Sequence, residues 1–423
     1  MKKIVSLCFL MLFPALLLAQ EDALRLGDLL KQALERNPKI KSVGSEANAM
    51  SFRIPQEQTL PNPMVGLDLK NMGFPEFTYG KSEMSGIGIS FSQAIPFPGK
   101  LKLKGEIAGK AFERQKEAQN SVVQSVLKDI KTAYFELYAL HKSIAILREQ
   151  KALLEKASEL TETKYAVGNG VQSDVLKAKV EISRMDEMIT PMAEMITSLN
   201  ARINLLLDFP PDRPLGIPQD QHVENLPLSL EDAKKAAAEN SPMIKEASLM
   251  VEEGSKMVDL SKKERSPNFV VGGGWEFKGS LPSMWEVMVG FEIPLYRKNK
   301  QNKMLEESLS RLDSSKSGLT ATKNDVIFMV IDDYLKARSA ESLIKLYKDK
   351  IIPQASLTVE SSLASYQVNK TDFLALLTDI NTHFSYQLAY YRELAELWSS
   401  IARLEEYSAK KIVNWGGKNE DQN

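Results

Sequence analysis

One cysteine, three histidines and no phosphate-binding glycine loop leave this chain of 423 residues little with which to perform catalysis. Cys8 falls in a leader expected to be removed, so the mature chain is expected to carry no disulfide, thiolate nucleophile or cysteine metal ligand. His141, His222 and His383 lie far apart, without the His-x-x-x-His spacing that holds a metal. Neither a G-x-x-x-x-G-K-S/T loop nor a G-x-S-x-G elbow is present. The expectation is a protein that is no enzyme and uses no cofactor. Charge of one sign is also lacking: 54 basic residues face 55 acidic ones, which argues against nucleic acid as partner. Beyond the leader no apolar run approaches the roughly 20 residues that a membrane-spanning helix requires.

What the chain does contain begins with an address. Lys2 and Lys3 precede an apolar run from Ile4 to Leu18, followed by Ala19 and Gln20. This pattern reads as a signal peptide over 1–20. The mature sequence then says nearly the same thing twice. Leu24, Leu26, Asp28, Glu35, Pro38, Ile40 and Lys41 recur as Leu228, Leu230, Asp232, Glu239, Pro242, Ile244 and Lys245. Further on, Ala94-Ile95-Pro96 is echoed by Glu292-Ile293-Pro294, and Tyr165-Ala-Val-Gly by Tyr366-Gln-Val-Asn. A period of roughly 200 residues is too long for a solenoid and points to two duplicated units, 21–215 and 216–415, with a polar tail over 416–423.

Each unit opens with a helical pattern, over 28–60 and 230–265, stopped by Pro61 and Pro267. The periodicity then changes to two, predicting strands at about 63–71 and 85–95, and at about 268–278 and 284–294. Val65, Leu67 and Leu69 alternate with Gly66, Asp68 and Lys70; Trp285, Val287, Val289 and Phe291 alternate with Glu286, Met288, Gly290 and Glu292. A half-buried soluble sheet gives such alternation, and so does a transmembrane barrel. The small, polar second face and the aromatics near the strand ends (Phe74, Phe77, Tyr79, Trp275, Trp285) favour the barrel. Four strands cannot close one, and open edges are not tolerated in lipid. Three copies would supply about twelve.

Long helical hairpins follow, over 101–208 and 299–410. The return helix carries Ile182, Met185, Ile189, Met192, Ile196, Leu199, Ile203 and Leu206 in a three-four rhythm that specifies knobs-into-holes packing. Gly168-Asn169-Gly170 forms the first turn, with Ser173 or Asp174 available as a helix cap; Asn369-Lys370 forms the second, with Thr371 or Asp372 as cap. Pro191 and Pro353 predict changes of helix direction or packing. Met185, Met188, Met192 and Met195 invite a soft-metal reading, since thioethers suit Cu(I). Met185 and Met192 fall on the apolar seam, however, so gap-filling is the preferred one.

The paired openings at Leu24 and Leu228, the Gln93-Ala-Ile-Pro-Phe-Pro-Gly-Lys100 segment, and the Tyr-x-Val-Gly tip before Ser173-Asp174-Val175-Leu176 together resemble the TolC-type outer-membrane efflux protein family. The resemblance implies a mainly α chain with a membrane β-barrel portion. Its assembly would be a homotrimer with a 12-stranded barrel in outer-membrane lipid and a 12-helix α-barrel in the periplasm. The implied partners are a periplasmic adaptor and an inner-membrane pump of the resistance-nodulation-division (RND) type. Pro96-Phe97-Pro98-Gly99-Lys100 is similar to the heavy-metal branch, while Asn369 and Ala375 stand where that family more often has glycine and an acidic residue. On this reading Gly168, Asn169, Gly170, Asn369 and Lys370 form the adaptor-docking tips. Asp174, Tyr366 and Asp372 belong to the entrance gate, the two aspartates serving equally as helix caps. The function expected is a passive exit duct. Type I protein secretion is the first alternative, and a periplasmic coiled-coil adaptor or structural protein the second.

Overall fold

The computed structural model describes residues 23–221 and 223–415; the leader with Cys8, His222 and the 416–423 tail lie outside the described residues. The single opening helix expected over 28–60 is two helices, α1 (Leu26–Arg36) and α2 (Pro38–Gln58). The cause is Pro38, because a residue preceding proline is pushed out of helical backbone. Asn37 takes φ −54° and ψ 125°, and its side chain accepts from the backbone N–H groups of Lys39 (2.9 Å) and Ile40 (3.2 Å). A helix thus ends and another begins at one capped residue. After α2 come β1 (Met64–Lys70), β2 (Gly86–Ile95), α3 (Lys100–Ala166) and α4 (Gln172–Leu206).

The second half repeats the plan with α5 (Leu230–Asn240), α6 (Pro242–Lys263), β3 (Asn268–Lys278), β4 (Leu281–Glu292) and α7 (Gln301–Leu346). Ser241 before Pro242 makes the same break as Asn37. Here the outgoing helix does not run unbroken. A π turn (Tyr347–Ile351) separates α7 from α8 (Ile352–Gln367), and α9 (Phe373–Ser408) returns. Pro353 explains the π turn, since its ring lacks an N–H and crowds the carbonyl four residues back, at Asp349. Pro191, by contrast, lies inside an α4 that continues through it.

The long helices pack side by side, with the short α1 laid on α3 and α5 on α7 and α9. Near the sheet α2 packs on α3, α3 on α6, and α6 on α7; farther away α3 packs between α4 and α9, and α9 against α8. With 67 residues, α3 runs through both levels, about 100 Å by helical rise. One core surrounds the fully buried Trp398, Tyr134 and Phe135, with ring centroids 5.3 Å apart for Phe135–Trp398 and 4.9 Å for Phe135–Trp415. Two of its aromatic polar groups are paired: Trp398 Nε1 donates to the Val223 carbonyl (2.6 Å) and the Tyr134 hydroxyl to that of Leu24 (2.9 Å). Burial pushes the Tyr134 hydroxyl up to about 12, so it stays a donor at any ordinary pH. A second core nearer the hairpin tips gathers Leu147, Leu154, Met185, Phe373, Leu376 and Ile380. Among the described residues no helix is long and apolar enough to cross a membrane.

Candidate channel wall and entrance site

The four strands form one antiparallel sheet in the order β1-β2-β3-β4. Pairing turns the alternation of each strand into rows across the sheet. On one face Leu67, Ile89, Trp275 and Trp285 lie in register, as do Val65, Phe91, Gly273 and Val287. Val287 and Trp285 are each 71% exposed, and Leu67 equally so, which in water would be an unfavourable apolar patch. The other face places Asp68, Gly88, Glu276 and Met284 in one row and Gly66, Ser90, Gly274 and Glu286 in the next. Its glycines leave room for Lys70 to reach over them to Glu276 (3.1 Å) and Glu286 (3.8 Å). One face suits lipid and the other water. Among the described residues β1 and β4 have no neighbour on their outer sides.

Lys100 ties the sheet to the helices. Its side chain is 2% exposed and its Nζ donates to Glu264 Oε2 (2.9 Å), Asn268 Oδ1 (2.8 Å) and the Ser266 carbonyl (3.3 Å). Gly99 before it has φ +85°, a left-handed turn that glycine adopts without steric cost. The sequence segment ending in Gly99-Lys100 is therefore a clamp between the two halves of the chain.

At the opposite end lie the hairpin tips. The first turns through Gly168 (φ +75°), with the Gly168 N–H donating to the Tyr165 carbonyl (3.1 Å) and Asn169 N–H to that of Lys164 (2.8 Å). Gly170 follows, so tight against the Lys164–Tyr165 backbone that an added Cβ would lie 3.0 Å from Tyr165 N. Asn369 takes the corresponding left-handed position in the second tip (φ +56°), which asparagine tolerates. The Lys370 N–H closes that turn on the Ser365 carbonyl (2.8 Å), leaving its side chain exposed. Asp372 caps α9 by accepting the Ala375 N–H at 2.7 Å. Asp174 makes no such bond: α4 starts earlier, at Gln172 behind Val171, so neither Ser173 nor Asp174 is its cap. Asp174 instead sits in the first turn, where a carboxylate favours the helix dipole, 3.9 Å from Lys177.

Tyr366 and Asp174 are brought together, and Asp372 faces its own helix end. Tyr366 is 5% exposed, with its ring 5.8 Å from that of Phe373. Burial raises its hydroxyl above the usual range, and the charge of Asp174 adds to the effect. The residue that sequence reasoning missed is Lys164. Its buried ammonium donates to the Tyr366 carbonyl and to Asn369 Oδ1, and lies 4.3 Å over the Tyr366 ring. The signal was a departure from the repeat: Lys164 precedes Tyr165 where Ser365 precedes Tyr366.

The methionine quartet divides. Met185 is 2% exposed in the second core and Met188 and Met192 pack against it, while Met195 is 54% exposed and outside it. Among the described residues no group of histidine, cysteine, aspartate and glutamate is arranged to hold a metal.

Comparison with known proteins places this geometry. Outer membrane protein TolC of Vibrio cholerae is 19% identical over 381 residues, covering 83% of either chain. Among solved structures, VceC of Vibrio cholerae superposes with TM-score 0.78 at 14% identity over 92% of this chain and 97% of its own. CusC gives 0.78 at 16% over 91% and 92%, and the MtrE channel of Neisseria gonorrhoeae 0.73 at 15% over 92% and 89%. At these identities the likeness establishes the fold, a barrel-forming sheet continued by a helical barrel. The sequence model described as "Outer membrane efflux protein" matches residues 29–189, so this part of the chain is similar to that family of outer-membrane channels.

Proposed function

We propose that this protein is the passive outer-membrane exit duct of a tripartite efflux system, conducting small toxic solutes, heavy-metal cations among them, from an inner-membrane RND pump and periplasmic adaptor to the exterior. The observation that carries this reading is the sheet: one face apolar and exposed, the other polar and glycine-lined, with both edges open. Such a sheet is stable in lipid only when three copies close it into a barrel, and the polar face then lines the bore. The units 21–215 and 216–415 each give one strand pair and one helical hairpin to that ring. Adaptor docking falls to the exposed turns at Gly168, Asn169, Gly170, Asn369 and Lys370, and closure of the entrance to Asp174, Tyr366 and Asp372 with Lys164 beside them.

The resting closure is tested in planar bilayers with the purified full-length trimer. Lys164→Met removes the charge and both hydrogen bonds while keeping length, and Tyr366→Ala removes the ring. Both are expected to raise single-channel conductance several-fold. Wild-type conductance in both variants would take these residues out of the gate, and absence of any channel from wild-type trimers would end the duct reading.

A further inference from the structure

Just below the sheet one cavity of about 540 Å³ touches α2, α3, α6 and α7. Four helices packed in a single layer share a cavity only on the concave side of that layer. When three layers close into a ring, the concave side faces the bore. The cavity begins at Lys104, one turn into α3, and extends to Arg114, so it spans about 15 Å of tunnel.

The two sides of this wall differ in chemistry. On the far side α3 and α6 are laced by ion pairs, Glu106–Lys256 at 2.7 Å and Lys110–Glu252 at 2.9 Å. On the cavity side stand Met50, Ile107, Met257, Leu260 and Met304, with Met257 left 40% exposed and Met304 39%. The charged groups among the lining residues are four cationic and three anionic. Arg114 is held by Glu253 (3.1 Å) and Arg311 by Glu307 (2.8 Å). Arg53 and Lys104 have no carboxylate partner among the described residues; the Arg53 guanidinium rests 3.8 Å from the Met50 sulfur instead. One positive charge per protomer therefore remains over beside an open apolar surface.

We propose that this wall is a holding site for amphipathic organic anions: a sulfonate or carboxylate on a rigid apolar body, its head at Arg53 and Lys104 and its body on the thioethers. The volume lies within the range of about 300–1,000 Å³ usual for small-molecule sites, and methionine adapts to ligands of varied shape. The three thioethers come from three different helices, with α3 standing between the first and the other two, an arrangement that spreads them along an apolar body. The proposal rests on the duct reading, because only the closed ring turns the concave side into a bore.

The test uses full-length trimers in lipid nanodiscs, titrated with 1-anilinonaphthalene-8-sulfonate and corrected for empty discs. Saturable fluorescence is expected, with Kd weakened at least tenfold by Arg53→Gln/Lys104→Gln and at least threefold by Met257→Gln/Met304→Gln. Ala111→Phe, which fills the cavity and removes no hydrogen bond, is expected to abolish it. Ethidium, a planar cation of similar size, is expected not to compete. Unchanged affinity in all three variants, equal competition by ethidium, or displacement by one equivalent of silver(I) would each overturn the proposal, the last in favour of a soft-metal site. Conductance of the same trimers is read separately. Channels that conduct without binding the probe would sink the holding site alone, and trimers that bind but never conduct would sink the duct.

Discussion

His383 sits on α9 with 9% of its surface exposed, its Nδ1 without a hydrogen-bond partner and its Nε2 3.1 Å from the Gln387 amide. Burial holds its pKa below the usual value, the Glu149 charge opposing only in part. A ring depressed in the folded state is neutral there while the unfolded chain takes up the proton, so its share of stability is present above about pH 6.5 and is lost on acidification. Melting of detergent-solubilised trimers at pH 7.5 and pH 5 should show a larger loss for wild type than for His383→Leu. Equal losses in the two proteins would remove His383 as an acid-labile point. At this scale the sequence is an uneven guide. The left-handed positions at Gly168 and Asn369 follow from local turn chemistry and could be read from adjacent residues. The partnership of Lys164 with Tyr366 spans 202 residues, and nothing near Lys164 announces it.

Elements were legible wherever a repeat carried them. Alternation with period two marks the strands because each side chain's face depends only on its own position along the chain. The proline breaks were legible only in part. Pro38 and Pro242 open new helices, and Pro353 lies beside a π turn, yet Pro191 leaves α4 continuous. The same chemistry has different outcomes because neighbouring helices decide whether a weakened turn stays packed. The sheet supports a sharper expectation. Val287 points to the apolar face and Met288 to the polar one, so Val287→Arg should cost roughly 2–4 kcal/mol in a lipid bilayer whereas Met288→Arg should cost little. Urea titration of the protein folded into vesicles measures both. Equal penalties would mean that the faces are misassigned.

For the whole molecule the unit of stability is the trimer. Among the described residues of a single chain nothing pairs with the outer sides of β1 and β4 or covers the broad apolar face. The full chain expressed in a Gram-negative host should therefore fractionate with the outer membrane as a species that runs as a trimer unheated and as a monomer after boiling. A folded, water-soluble monomer would contradict the closed ring. Neither the apolar wall above α3's fourth turn nor the clamp at Lys100 could be anticipated, because each is assembled from both halves of the chain.

Duplication, helix and strand periods, and turn chemistry were all determined by the sequence itself, since each is expressed between residues a few positions apart. Tertiary structure alone decided that Lys164 joins the two tips, that Asn268 and Glu264 receive Lys100, and that four helices curve around one cavity. Those contacts join residues more than a hundred positions apart. They exist only once packing has brought distant surfaces together, and a one-dimensional pattern has no term for that distance.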